Sequence, residues 1–334
     1  MSRSRLLPDN FTLALLSVVT LASLLPASGR PAHFFEALTT FAIGLLFFLH
    51  GAKLSREAIM EGITHWRLHL LVFASTFVLF PLLGLALKPL LLPLVTPELY
   101  TGVLYLCVLP ATVQSAIAFT AMARGNMPAA ICSASASTLL GVFVTPVLVN
   151  LVVLPHGGQA VSSSSLDAIG RILLQLMAPF AAGHLLRPWI GGWVKRRAPV
   201  LKFVDQGSIL LVVYTAFSAA VIEGLWRQVP IHALAGLLVV CAVILGLALG
   251  LTTLLARKLG FDTEDEITIV FCGSKKSLAS GIPMAKVLFA SQAVGAIVLP
   301  LMLFHQMQLM VCAVLAQRYG RREREGLGGL KVAE

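Results

Sequence analysis

Charge is what this 334-residue chain has least of. Asp, Glu, Lys and Arg make up 12% of it, where a soluble globular domain carries roughly a quarter. Acidic residues are the scarcer kind, 15 against 25 Lys and Arg. A net charge of +10 in a soluble protein would point to nucleic acid. Here the basic residues fall in short gaps between apolar runs, which retention of positive loops on the cytoplasmic side explains with no nucleic acid partner. Signatures of chemistry are missing too. There is no nucleotide-binding glycine loop, no Gly-x-Ser-x-Gly and no His-Glu-x-x-His, so nothing supports an enzyme or a cofactor. The five cysteines, Cys107, Cys132, Cys241, Cys272 and Cys312, lie singly in apolar runs and read as small core residues, not as a disulfide framework or zinc site. The acidic run Asp262–Glu266 lacks the spacing and glycine of a calcium loop.

What is abundant is hydrocarbon: 57% of the residues are hydrophobic, in runs of the length a bilayer requires. Ten spans account for the chain, at about 11–28, 33–51, 66–92, 99–124, 128–154, 166–188, 204–226, 231–257, 265–290 and 293–318. Arg3, Arg5 and the first apolar run imitate a signal peptide. No soluble domain follows, so the run reads as a retained first helix. With the N-terminus inside, eighteen of the 25 Lys and Arg fall on the cytoplasmic side. Arg30, Lys88, Arg171, Arg227 and Lys286 fall outside, and two lysines are left within a span. That asymmetry predicts a multi-pass protein of the cell inner (cytoplasmic) membrane with both termini cytoplasmic.

The longest polar connection, through Ser162–Ser165, divides the chain into two halves of five spans, about 8–155 and 166–320, with 321–334 as a cytoplasmic tail. Five is odd, so the second half enters the membrane from the opposite side, the geometry of an inverted repeat. Punctuation agrees between the halves. Span four carries Pro110 and Gln114-Ser115; span nine carries Gly273, the pair Lys275-Lys276, Gly281 and Pro283. Interrupted helices at matching places point to a transport site near the midplane.

The lysine pair is the sharpest feature. Roughly ten residues separate it from the acidic cluster that opens span nine, or about 15 Å of helix, half of a hydrocarbon core about 30 Å thick. An ammonium there costs a few kcal/mol unless paired or hydrated, and snorkelling to the interface is the competing explanation. Around it, Gln114 and Ser115 either line a site or bond between helices. Ser133 and Ser135, with Ser137 and Thr138, either supply oxygens or let helices approach. Asn126 reads as a turn residue beside Gly125. His305, with Gln306 and Gln308, is either a proton relay or a hydrogen-bonded structural histidine. Asp205 and Gln206 read as interfacial, and Asp262–Glu266 as a helix-capping cluster.

The ten spans, Ala123-Arg-Gly-Asn126, Ser137-Thr-Leu-Leu140, Thr145-Pro146 and above all Gly273-Ser-Lys-Lys-Ser-Leu-Ala-Ser-Gly-Ile-Pro-Met284 resemble the bile acid:sodium symporter family, and within it a divergent bacterial SBF-like branch. The resemblance implies a core domain in which broken helices four and nine cross, a separate panel domain, and secondary transport of an organic anion. It implies sodium as well, but the positions expected to hold the ion fall on Val270, Ser274 and Lys275 in span nine, near Gln114-Ser115 in span four, and on Ala130 and Ala134 in span five. An ammonium among them would repel sodium, so sodium is doubtful as a coupling ion and a proton is possible.

The expectation is therefore an all-α transporter of organic anions by alternating access, in contact with the lipid bilayer. Its site residues are Lys275, Lys276, Ser274, Ser277, Gln114, Ser115, Ser133, Ser135 and His305. Lys275 stands in for sodium and Lys276 meets substrate. A sodium-coupled symporter of bile-acid-like anions is the alternative, and a non-transporting binding or regulatory protein of the same fold is the alternative of another class.

Overall fold

Hydrocarbon offers no hydrogen-bond partner, so a backbone inside it must satisfy itself, and a helix does so within one segment. The computed structural model describes residues 10–53, 65–156, 165–289 and 294–330, and every regular element among them is helical. In order these are α1 (Asn10–Leu24), α2 (Arg30–Lys53), α3 (Trp66–Ala86), α4 (Pro97–Val108), α5 (Gln114–Ala123) and α6 (Met127–Val153). After the long polar connection come α7 (Ser165–Arg196), α8 (Ala198–Ile222), α9 (Ile231–Lys258), α10 (Thr263–Gly273), α11 (Leu278–Leu288) and α12 (Val294–Leu330). Arg3, Arg5, Arg56, Ser162–Ser164 and Lys331 lie outside the described residues.

Among the described residues, six helices are long and apolar enough to cross a bilayer: α2, α3, α6, α8, α9 and the Val294–Arg321 part of α12. Phe41, Leu70, Trp189 and Phe203 are exposed on helix surfaces, as lipid-facing side chains would be. This is an all-helical polytopic membrane protein. The expected limits shift in places. Span seven begins at Ala198, six residues early, because Pro199 suits a first helical turn. Span six continues to Arg196, and the tail expected from residue 321 continues α12 to Leu330.

The two interrupted helices sit at the centre. α4 is buried from Leu99 to Val108, a stretch apolar nearly all round, as an inside helix must be; α10 is buried from Asp265 to Gly273, with Glu266 paired to Arg257 at 2.8 Å. α10 starts with Asp262 as N-cap, its carboxylate accepting from Asp265 N at 2.8 Å. Asn126 caps α6 by accepting from Ala129 N at 3.1 Å and donates to Asp265 at 2.8 Å. The turn role expected for Asn126 thus also ties the end of one broken helix to the start of the other. At the periphery, α2 and α7 touch backbone to backbone: a Cβ on Gly51 would come within 2.0 Å of Phe180 O, and one on Gly183 within 1.9 Å of Phe48 O.

Candidate functional site

Between α4 and α5 the chain runs unwound through Leu109–Val113, and between α10 and α11 through Ser274–Ser277. Both breaks expected from the sequence are present, and they touch: Ser277 N donates to Pro110 O at 2.9 Å. Unwinding frees carbonyls that a helix would have paired, and buried ones need new donors. Each one from 107 to 110 has one. Cys107 O and Leu109 O accept from Lys276 Nζ at 2.8 Å each, Val108 O from Thr145 Oγ1 at 2.9 Å, and Pro110 O from Ser277. Ala111 N donates to Ser137 Oγ at 3.0 Å. Two hydroxyls of α6 therefore serve the break, as does Gly141, where a Cβ would meet Pro110 at 2.5 Å.

The third bond of Lys276 goes to Thr76 O, at 2.7 Å. That oxygen is free for a local reason. Residues Ser75–Leu79 form a π-helical turn in which Phe80 N bonds Ser75 O, skipping Thr76, and Pro81, next in line, has no N–H to give. The ammonium thus joins α3 to the unwound part of α4–α5, with the Phe80 ring face 4.1 Å away. All three of its donors are used.

Lys275 is equally buried, at 0% exposure, yet its ammonium has no hydrogen-bond partner among the described residues. It lies over Phe119 of α5 at 4.4 Å and Phe271 of α10 at 5.4 Å. Two adjacent side chains therefore leave the unwound segment toward opposite environments, one lined with carbonyls and one with aromatic rings. This departs from the expected division of roles. The amine of Lys276 is not turned to a ligand space, and the amine among oxygens is that of Lys276, not Lys275. Snorkelling does not describe either lysine.

Gln308 of α12 clamps the same backbone. Lys276 N donates to Gln308 Oε1 at 2.8 Å, and Gln308 Nε2 donates to Lys276 O at 2.9 Å and to His305 Nδ1 at 2.8 Å. Because a backbone N–H must donate, the amide orientation follows, and His305 Nδ1 is left as the acceptor with its proton on Nε2. His305 is thereby hydrogen-bonded into the clamp and still borders the cavity. Gln308→Leu removes the partners of both backbone groups, N–H and C=O, of one buried residue. A loss of about 1–3 kcal/mol is expected, read as a lower melting temperature in lipid nanodiscs with expression retained.

A cavity of about 450 Å³ opens beside the crossing. Gln114, Ser115, Ser135, Ser277 and His305 line it; Lys275, Lys276, Ser274 and Ser133 do not. Ser274 Oγ bonds Val270 O at 2.5 Å, closing α10, and Ser133 Oγ lies 2.6 Å from His69 Nδ1, binding α6 to α3. The cavity meets the first turns of α5 and α11, so two positive helix ends face it. Its far wall is apolar, with Leu46, Phe180 and Ile209.

A family model described as the SBF-like CPA transporter family matches residues 9–321. The chain belongs to this family. Its members are transporters, not enzymes. The chain is 70% identical over 333 residues to the uncharacterized protein PA2026 of Pseudomonas aeruginosa, covering 100% of this chain and 99% of that one. It is 59% identical to the putative symporter YfeH of Escherichia coli, covering 95% and 94%. It is 28% identical to the sodium/bile acid cotransporter 7 of Xenopus tropicalis, covering 93% and 91%.

A sodium ion fits this SBF-like crossing poorly. The oxygens converging there, from Thr76, Cys107 and Leu109, are already held by an ammonium, which would repel a second cation. Sequence reasoning missed Thr76, whose part depends on Pro81 five residues on, and it noted Gln308 only as unusually polar. It did not bring Lys53 and Asp205 to the site; both line the cavity.

Proposed function

We propose that this SBF-like chain is a secondary transporter that moves an organic anion by alternating access without sodium. The observation that carries this is the Lys276 ammonium on three backbone carbonyls of α3 and the α4–α5 break. Broken helices that cross at a transport site need a cation to hold their freed carbonyls, and here that cation is covalently part of the chain. It cannot leave during the cycle, so sodium has no place to bind and release. Lys275, which has no acceptor among the described residues, is the group available to take and give up a proton, so coupling is to protons or absent.

In this reading the ten spans form two inverted five-helix repeats, with α4–α5 and α10–α11 as the crossed spans four and nine of a core and α2, α7 and α8 among the panel helices. The anion sits in the 450 Å³ cavity between them, held by Gln114, Ser115, Ser135, Ser277 and the positive ends of α5 and α11. The protein resides in the inner membrane with both termini in the cytoplasm. The cavity then opens inward, because Lys53 and Lys202 stand at its rim and basic residues collect on that side.

Proteoliposome uptake of organic anions, with taurocholate as the first probe, tests the coupling. Replacing external sodium by potassium at constant pH should leave the initial rate unchanged, and imposing a pH gradient should change it if Lys275 carries the proton. A strict sodium requirement at constant pH would remove this account.

A further inference from the structure

The rim of the cavity holds a group that neither the crossing nor the family accounts for. Lys53, at the end of α2, forms an ion pair with Asp205 of α8. Both line the main cavity, and both line an adjoining pocket of about 250 Å³ that also carries Arg187 and Lys195. Lys202 lines the two pockets as well, and no carboxylate pairs with it among the described residues. Four cations thus line these two spaces, and Asp205 is the one carboxylate among the lining residues.

That carboxylate is only half used. Its Oδ2 takes Lys53, while Oδ1 is buried and accepts nothing among the described residues. A buried acceptor left unpaired is costly, and a structural tie between two helices would gain by pairing both oxygens. A carboxylate that must let go has reason to be held on one side only. His50, one turn before Lys53, has Nδ1 2.7 Å from Leu46 O, so that nitrogen carries the hydrogen and Nε2 is the one left over.

We propose that Asp205 is an internal stand-in for the substrate's charged group. It holds Lys53 while the cavity is empty and is displaced when an anion bridges Lys53 and Lys202. The ligand class follows from the walls: a compact anionic head, such as a phosphate, sulfonate or carboxylate, on an apolar body. The body lies against Leu46, Leu139, Phe180, Ile209, Leu278 and Leu309. This deepens the anion reading above and rests on it for the ligand's charge, but not for flux. Lys53 reaches the ligand by exchanging one carboxylate for another anion, so its charge has a partner both before and after binding.

The exchange makes the signs of two substitutions differ. Binding of 1-naphthyl phosphate to the full-length protein in lipid nanodiscs is measured by calorimetry, with uncharged 1-naphthol as control. Removing the competitor, Asp205→Asn, should tighten naphthyl phosphate on the order of tenfold, and Lys53→Gln and Lys202→Gln should each weaken it by a similar factor. Naphthol should respond to none of them. If Asp205→Asn and Lys53→Gln both weaken binding, the pair is a structural tie and the proposal falls. Unchanged affinity in Lys202→Gln, which breaks no ion pair and so tests the site even if the others misfold, overturns it too. So does failure of naphthyl phosphate to bind the wild type. Absent flux with opposite signs in binding would instead remove the transport reading and leave this one standing.

Discussion

Lys276→Met is expected to lose both transport and stability. The substitution leaves Thr76 O, Cys107 O and Leu109 O without their shared donor. Each buried acceptor left unpaired costs about 1–3 kcal/mol, so the total is roughly 3–9 kcal/mol. That is a large part of the margin by which proteins are stable. Lys276→Gln, which keeps two N–H groups but no charge and a shorter reach, should fall between wild type and Lys276→Met in melting temperature. It should still be inactive, because an amide cannot neutralise converging carbonyl dipoles as a cation does. Thermal melting in nanodiscs and proteoliposome uptake check both statements. Near-normal melting and uptake in the two variants would show that the three oxygens are satisfied some other way and that the built-in cation is not needed.

Lys275→Met, one residue away, is expected to change stability in the opposite direction. The Lys275 amine has two ring faces and, among the described residues, no acceptor. Cation–π contacts return about 0.5–2 kcal/mol, less than the several kcal/mol that removing an ammonium from water costs. An apolar side chain of similar length should therefore melt at the same temperature or a few degrees higher. Since Lys275 is the proposed proton carrier, the variant should also lose any response of uptake to a pH gradient. A fall in melting temperature as large as that of Lys276→Met would mean that Lys275 has polar partners in the membrane that offset its burial.

This contrast marks how far the sequence could be read. The helices were legible because hydrocarbon permits little else, and the breaks because Pro110, Gly273 and the two lysines interrupt otherwise apolar runs. Gln114 and Ser277 were picked out as site residues, and both line the cavity. The directions of Lys275 and Lys276 were not. In a helix, neighbours sit about 100° apart and their faces can be counted. In a non-helical stretch such as Ser274–Ser277 the direction depends on what the opposing chain offers, and that chain is more than 150 residues away. Lys53 and Asp205 were hidden for a different reason. A charged residue at the end of an apolar run looks interfacial in any sequence, and only the fold shows that α2 and α8 bring these two to one cavity. Gln308 was visible as an anomaly without a role, because a glutamine in a membrane helix announces a hydrogen bond but not its partner.

Pro81 and Lys276 have no contact that a sequence comparison would look for, yet one of the three oxygens that the lysine holds is left open partly by the proline. The imino acid strips one oxygen of its natural donor, and the amine supplies a replacement from the far half of the polypeptide. Among descendants, exchanging the lysine strands that oxygen, and exchanging the proline leaves the amine competing with a restored backbone donor. The two sites should therefore be inherited as a unit, so that a lineage readmitting a free metal ion at the crossing must revise both.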